Sequence, residues 1–315
     1  MKLLQLPAAE LRRKLADDGV WLRTGPFSLK IQSRIASVAE ALAKLYGQFE
    51  VRTAHENFAD FSVSVNPTRG LLRWLRPQVE FTFNGMQPIN PLPCGQAFSM
   101  LEWGLNWCVS TQVHQYLIIR AAVVEKNGLA AILSVPTGSG KSTLTAGLIL
   151  SGWRLLSGEF ALIDRNTGMI QALPRPICLK NHSVSVIQQF CPDAYINHAS
   201  HDAINGTVAH MRPPRDSVRR QHETARPGWL IFPTWEVDAA TQLTPCSQAQ
   251  AFMFLTENTF NFSQLSEEDA LTVTALVDHS SCYDLRYGKL EEAIATFEQL
   301  AGGASSDSTR LECRD

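Results

Sequence analysis

The residues from Val135 to Ser142, Val135-Pro136-Thr137-Gly138-Ser139-Gly140-Lys141-Ser142, form the chain's densest set of phosphate-binding types. They follow the phosphate-loop pattern G-x-x-x-x-G-K-[ST], with Val135 standing where the first glycine belongs. Gly138 and Gly140 permit backbone conformations that turn successive N–H groups inward, and the start of a following helix adds further donors. The expected nucleotide contacts are therefore Pro136, Thr137, Gly138, Ser139, Gly140, Lys141, Ser142 and Thr143. Lys141 would reach the β- and γ-phosphates of ATP, and the Ser142 hydroxyl would ligate Mg²⁺. Seventeen residues separate Lys141 from Glu159. It could join Ser142 in holding the metal through water, or take a proton from a substrate hydroxyl. The plainer reading of Glu159 is a solvated turn glutamate.

A second group is basic. Arg212, Arg215, Arg219, Arg220 and Arg226 crowd one segment with Pro213, Pro214 and Pro227. Arginine's planar fork suits bidentate phosphate contact, so a clamp over nucleotide or acceptor is one reading. A solvated basic loop is the other. No aromatic residues alternate with these arginines, which disfavours RNA stacking. His198 and His201 have three-residue spacing without the partners of a metal motif. His210 beside the arginines and Lys180 are weaker candidates. Trp103 and Trp107, four apart, read as helix packing.

The elements that must position these groups are legible as periodicity. Leu129–Val135 is an apolar strand that feeds the loop, and Ser142–Leu150 is a helix that leaves it, closed by Gly152. Tyr116–Val124 precedes them as one strand, joined through the hairpin signal Asn127-Gly128. Trp153–Ser157 is a short strand, and Phe160–Arg165 with Met169–Leu173 is a hairpin around Asn166-Thr167-Gly168. Upstream, helices are expected over 8–18, 33–46 (closed by Gly47) and 96–113. Strands are expected around Leu22–Ile31, Phe61–Val65 and Val79–Phe83. Downstream, Trp229–Phe232 is a strand, and Gln248–Thr256, Glu267–Val277 and Leu290–Leu300 are helices.

Bulk properties narrow the class. The chain has 315 residues, 45% apolar and 18% charged, as expected for a globular protein with a substantial core. A net charge of -2 argues against a dedicated nucleic-acid binder. Seven widely spaced cysteines without C-x-x-C suit a reducing compartment rather than a disulfide framework or structural zinc. The N-terminus, broken by Pro7 and charged from Glu10, is a poor signal peptide. No apolar run approaches membrane-helix length. A cytoplasmic protein is expected, with no membrane partner.

Several segments resemble the HPr kinase/phosphorylase superfamily, and most closely its HPr kinase-related kinase A branch. They are the strand, loop and helix, then Trp153-Arg154-Leu155-Leu156-Ser157-Gly158-Glu159-Phe160, and Pro174-Arg175-Pro176-Ile177. Leu101-Glu102-Trp103-Gly104-Leu105-Asn106-Trp107-Cys108 and Met211-Arg212-Pro213-Pro214 carry the branch-level likeness. The resemblance implies an α/β fold: a P-loop nucleotide-binding domain of the HPr kinase/phosphoenolpyruvate carboxykinase type over residues 96–300. An α+β N-terminal region over 1–95 would precede it, and a disordered tail over 301–315 would follow. It also implies Mg²⁺-dependent phosphoryl transfer from ATP, or pyrophosphate, to a serine hydroxyl of a protein or peptide. The implied catalytic residues are Glu159, Lys141 and Arg226, the last because Ala225-Arg226-Pro227-Gly228 resembles a family loop whose arginine approaches the transferred phosphate. A small peptide-chaperone partner is implied as well, and homo-oligomerisation is left open. Two positions depart from the family pattern: Gly158 stands for the first acid of a catalytic pair, and Arg120 stands near a histidine. A nucleotide sensor or scaffold without catalysis, and a small-molecule kinase, are the alternative readings.

Overall fold

Alternating apolar residues build the first sheet. Helix α1 (Ala8–Ala16) leads into the hairpin of β1 (Val20–Thr24) and β2 (Phe27–Ser33), with Gly25 in the turn. Along both strands every second side chain is buried. The helix expected from Ser33 begins later, as α2 (Ala36–Leu45), because Ser33 still belongs to the strand and its Oγ donates to the Val65 carbonyl at 2.7 Å. Gly47 does not close α2 through a left-handed residue. It is a close-approach glycine, since a Cβ there would meet the Ala43 carbonyl oxygen at 2.6 Å. Strands β3 (Val51–Arg52), β4 (Phe61–Pro67), β5 (Gln78–Phe83) and β6 (Leu92–Pro93) complete the order β3-β1-β2-β4-β5-β6. Helix α3 (Ala97–Gln112) covers this sheet: a Cβ on Gly104 would overlap the Phe81 ring, and Trp107 meets Phe83 edge-on at 5.7 Å.

The computed structural model describes residues 1–52, 58–68, 77–134, 139–202, 206–260 and 266–311, with side chains described as far as Gly303. After α3 the apolar run splits. β7 (Tyr116–Arg120) and β8 (Ala122–Lys126), expected as one strand, part at Ala121 and enter different sheets. β8 turns through Asn127 and Gly128, both at positive φ, into β9 (Leu129–Leu133). Helix α4 (Lys141–Leu150) ends in a Schellman motif: Gly152 lies at φ +99°, and the Trp153 N–H donates to the Leu148 carbonyl at 3.1 Å. β10 (Arg154–Ser157), β11 (Phe160–Asp164) and β12 (Ile170–Gln171) follow. Next come β13 (Ile177–Lys180), α5 (His182–Phe190), β14 (Ser200–Asp202), β15 (Gly206–Met211) and α6 (Arg215–Arg219). The chain finishes with β16 (Arg226–Trp235), β17 (Gln242–Pro245), α7 (Gln248–Glu257), α8 (Glu267–Asp278), β18 (Ser281–Tyr287) and α9 (Leu290–Leu311). β16 begins three residues ahead of the expected Trp229, with a register shift between Pro227 and Trp229 that tolerates the proline.

The structure is thus mixed α/β, and its residues divide into two compact units. One comprises 1–114, 173–188 and 193–222; the other comprises 115–172, 189–192 and 223–315. This differs from the expected boundary at residue 95, because α3 packs on the N-terminal sheet. The second unit holds a six-stranded sheet, β10-β8-β9-β16-β18-β17, and a three-stranded one, β12-β11-β7. Within the larger sheet, β9, β16 and β18 run parallel. Helix α9 continues through Leu311, past the point where a disordered tail was expected; residues 312–315 lie outside the described set. Among the described residues no helix is long and apolar enough to cross a membrane, and Cys94, Cys108, Cys178, Cys191, Cys246 and Cys282 are free thiols.

Candidate functional site

The loop after β9 emerges at the carboxyl ends of the three parallel strands, where open α/β sheets place their ligands. Its entry and exit are both tied to β16. The Ser134 N–H donates to the Ile231 carbonyl, and the Trp235 N–H donates to the Ser139 carbonyl, each at 3.2 Å. Pro136, Thr137 and Gly138, three of the expected contacts, lie outside the described residues. Ser139, Gly140, Lys141, Ser142 and Thr143 are described, and all five are half-buried.

Gly140 starts α4 at φ +87°. A Cβ there would stand 2.7 Å from the Tyr287 hydroxyl and 2.8 Å from Trp235 Cβ. Only glycine meets both demands, the left-handed backbone and the close approach of the two strand ends. The Tyr287 hydroxyl donates to the Gly140 carbonyl at 3.3 Å, and the Trp235 indole N–H donates to the Gly288 carbonyl at 3.1 Å. The turn into α4 is therefore braced from β16 and β18.

Lys141 opens the helix. Burial holds its ammonium below the usual lysine range; the Glu159 charge opposes that shift and the Arg120 charge reinforces it. Lys141 thus feels both charges at the loop. Glu159 and Arg120 reach this place through the strand break described above. Arg120 ends β7 opposite Phe160, and the N–H of Ala121 donates to the Glu159 carbonyl at 3.2 Å. Between β10 and β11 the chain changes sheets in the same way, at Gly158 and Glu159. The Ser157 Oγ accepts from the N–H groups of Glu159 (3.4 Å) and Phe160 (3.1 Å), which fixes this turn. Ser134 Oγ donates to the Arg120 carbonyl at 3.3 Å, linking the corner to the loop entry. Among the described residues, neither the Lys141 ammonium nor the Glu159 carboxylate nor the Arg120 guanidinium forms an ion pair.

Arg226 is not brought to this corner. It opens β16 opposite Leu129, and its N–H donates to the Gly128 carbonyl at 3.1 Å. The loop follows the other end of β9, five residues on, or about 16 Å at the rise of a parallel strand. That exceeds the reach of an arginine side chain, so the clamp role expected of Arg226 does not fit. The basic segment is also divided: Arg212, Arg215, Arg219 and Arg220 fall in the first unit and Arg226 in the second. Arg219 and Arg220 pair with Asp216 at 2.6 and 3.4 Å, and Arg212 lies over the Tyr195 ring at 5.4 Å. Asp164, another acid of the same hairpin, sits at the far end of β11. Its Oδ1 accepts from the Thr167 N–H at 2.8 Å and the Asn166 N–H at 3.0 Å, which holds its carboxyl below the usual range.

Two other charged groups in the quoted motifs are structural. Arg154, 5% exposed, forms a buried ion pair with Glu125, whose second oxygen accepts from the Gly128 N–H at 2.6 Å. In the first unit, Glu102 accepts from the Tyr46 hydroxyl at 2.6 Å and from Arg175 at 3.4 Å, while Arg175 also donates to Asn106. The motif around Leu101–Cys108 and the one around Pro174–Ile177 thus meet in one buried network. His210 is buried edge-on to Phe98, and burial pushes its pKa down to about 3, so it stays neutral. Among the described residues no cluster of three or more His, Cys, Asp or Glu could hold a metal ion. Mg²⁺ needs no such cage when phosphates and water supply most of its ligands.

No protein-family model matches the chain, and no curated protein matches it in sequence.

Trp235, Tyr287 and the supporting role of Arg120 were not visible as site features in the sequence. Tyr287 meets Gly140 across 147 positions, and no local pattern signals such a contact.

Proposed function

We propose that the chain binds Mg²⁺-ATP at the loop before α4 and transfers its terminal phosphoryl group to a hydroxyl, serine being the acceptor favoured by the resemblance. One observation carries this reading. A half-buried lysine that forms no ion pair among the described residues opens a helix whose preceding glycine is held left-handed, at the carboxyl ends of parallel strands. Partial burial of an ammonium costs free energy, and a bound polyanion offsets the cost. The residues fit the nucleotide: Lys141 and the first amides of α4 face phosphate, while Ser142 and Glu159 supply the oxygens for a metal. Bound Mg²⁺ would contribute neutralisation of phosphate charge. Glu159 accepts the proton of the acceptor hydroxyl as its oxygen bonds to phosphorus and the bridging P–O bond to the leaving diphosphate breaks. The fold type that this reading entails, the HPr kinase/phosphoenolpyruvate carboxykinase architecture, is part of the proposal.

Gly158 favours a second reading, a nucleotide-responsive sensor with little turnover. It provides no carboxylate where the resemblance places one, and Asp164 is committed to its own turn. Gly158→Asp should then raise ATP hydrolysis or phosphoryl transfer, by about 10²–10⁴-fold if the new carboxylate serves as general base. Labelled ATP with cell extract gives the readout. Brisk wild-type transfer excludes the sensor. A folded, ATP-binding Gly158→Asp protein that stays inert means that the acid position has been misassigned.

A further inference from the structure

We infer that Arg120 binds the terminal phosphoryl group of the nucleotide and lets the site distinguish a nucleoside triphosphate from a diphosphate; this rests on the nucleotide-binding reading above. The first ground is placement. Arg120 ends β7 directly beside Glu159, and its carbonyl is tied to Ser134 where the loop begins. The second ground is how the side chain is held. Its guanidinium lies over the Phe260 ring at 5.4 Å, and that ring packs edge-on against Phe160 at 5.2 Å. The segment after α7 fixes this platform through two hydrogen bonds: the Phe260 N–H to the Ile118 carbonyl at 3.0 Å, and the Arg120 N–H to the Asn258 carbonyl at 2.8 Å.

The third ground is charge. Arg154, Arg165, Arg175, Arg219, Arg220 and Arg286 have acid partners, whereas Arg212, Arg215 and Arg226 have no ion pair among the described residues. Arg120 has none among the described residues, and it is held where its charge acts on that of Lys141. Two cations kept near each other beside one carboxylate repel, and an anion that both can reach relieves the repulsion. Stacking on Phe260 leaves the guanidinium edge free, and that edge donates two parallel hydrogen bonds to a pair of phosphate oxygens. Arg120 is exposed, and the aromatic platform with the tether of its backbone to the loop sets it apart from a freely moving surface arginine.

Calorimetric titration of wild type, Arg120→Ala and Arg120→Lys with Mg²⁺-ATP and with Mg²⁺-ADP tests this, alongside the melting temperature of each protein without nucleotide. Arg120→Ala should weaken ATP by about 10–100-fold, the range of a charged hydrogen-bonding contact, and leave ADP nearly unchanged. Arg120→Lys should fall between, because it keeps the charge and loses the fork. Equal weakening of both nucleotides, or of neither, overturns the assignment while nucleotide binding itself stands. A wild-type protein that binds neither nucleotide overturns the nucleotide reading instead. If the alanine variant melts too low to titrate, the lysine variant carries the same comparison: a loss confined to ATP supports the assignment, and equal affinities refute it.

Discussion

Lys141 shows how a residue proposed to bind phosphate can work against stability. Among the described residues its ammonium forms no ion pair, and burial lowers its pKa from the ordinary 10.5. Replacing it with methionine keeps the stem and removes the charge. Lys141→Met should melt at or above the wild-type temperature while Mg²⁺-ATP affinity falls by about 10–100-fold. The pH dependence has a definite sign. Between the lowered pKa and 10.5 the unfolded chain binds the proton that the folded one has released, so wild-type stability rises with pH across that window. The advantage of the methionine variant should therefore shrink toward alkaline pH. Melting curves over a pH series measure it, and a variant that is less stable at every pH would show that the ammonium has a partner at present unseen.

At the scale of elements, two strand pairs do the positioning. β7 and β8 part at Ala121, and β10 and β11 part at Gly158, so Arg120 and Glu159 arrive at one corner from two directions. The Arg154–Glu125 pair locks the β8 side of that arrangement, joining β10 to the turn before β9. Both side chains are almost wholly buried, so the pair behaves as a unit. Arg154→Met alone leaves the Glu125 charge buried and should cost about 3–5 kcal/mol. Arg154→Met with Glu125→Leu should recover much of that, because packing replaces two desolvated charges. Urea unfolding of the three proteins decides it; a double variant as unstable as the single one would point to the Gly128 N–H as the greater loss.

The whole molecule is divided in space differently from its order along the chain. Residues 173–188 and 193–222 return to the unit formed by 1–114, although the loop and α4 intervene. A fragment cut at the boundary first expected, residues 96–315, would strip α3 of the sheet against which Gly104 and Trp107 pack. It would also leave Glu102 without Tyr46. That fragment should bind a hydrophobic dye and melt broadly rather than cooperatively. A sharp transition with α3 amides protected from exchange would mean that residues 1–95 are dispensable.

What the sequence determined by itself was local. Apolar alternation gave β4 and β5, three- and four-residue spacing gave α1 and α4, and Asn127-Gly128 gave the hairpin before β9. Each depends on neighbours a few positions apart. The strand, turn and helix start around the glycine–lysine–serine run were legible likewise, because they need only consecutive residues; the phosphate-binding proposal begins from that run. Tertiary structure decided the rest. It split Tyr116–Val124 into strands of two sheets, since an apolar run looks the same whether or not it bends at Ala121. Parallel pairing of β16 with β9 carried Arg226 to the end of the sheet away from the loop. Strand ends nearly a hundred or more positions away supplied the Trp235 and Tyr287 that brace Gly140. Which end of a strand meets which loop is set by pairing direction and register, and those depend on contacts made only when distant segments pack together.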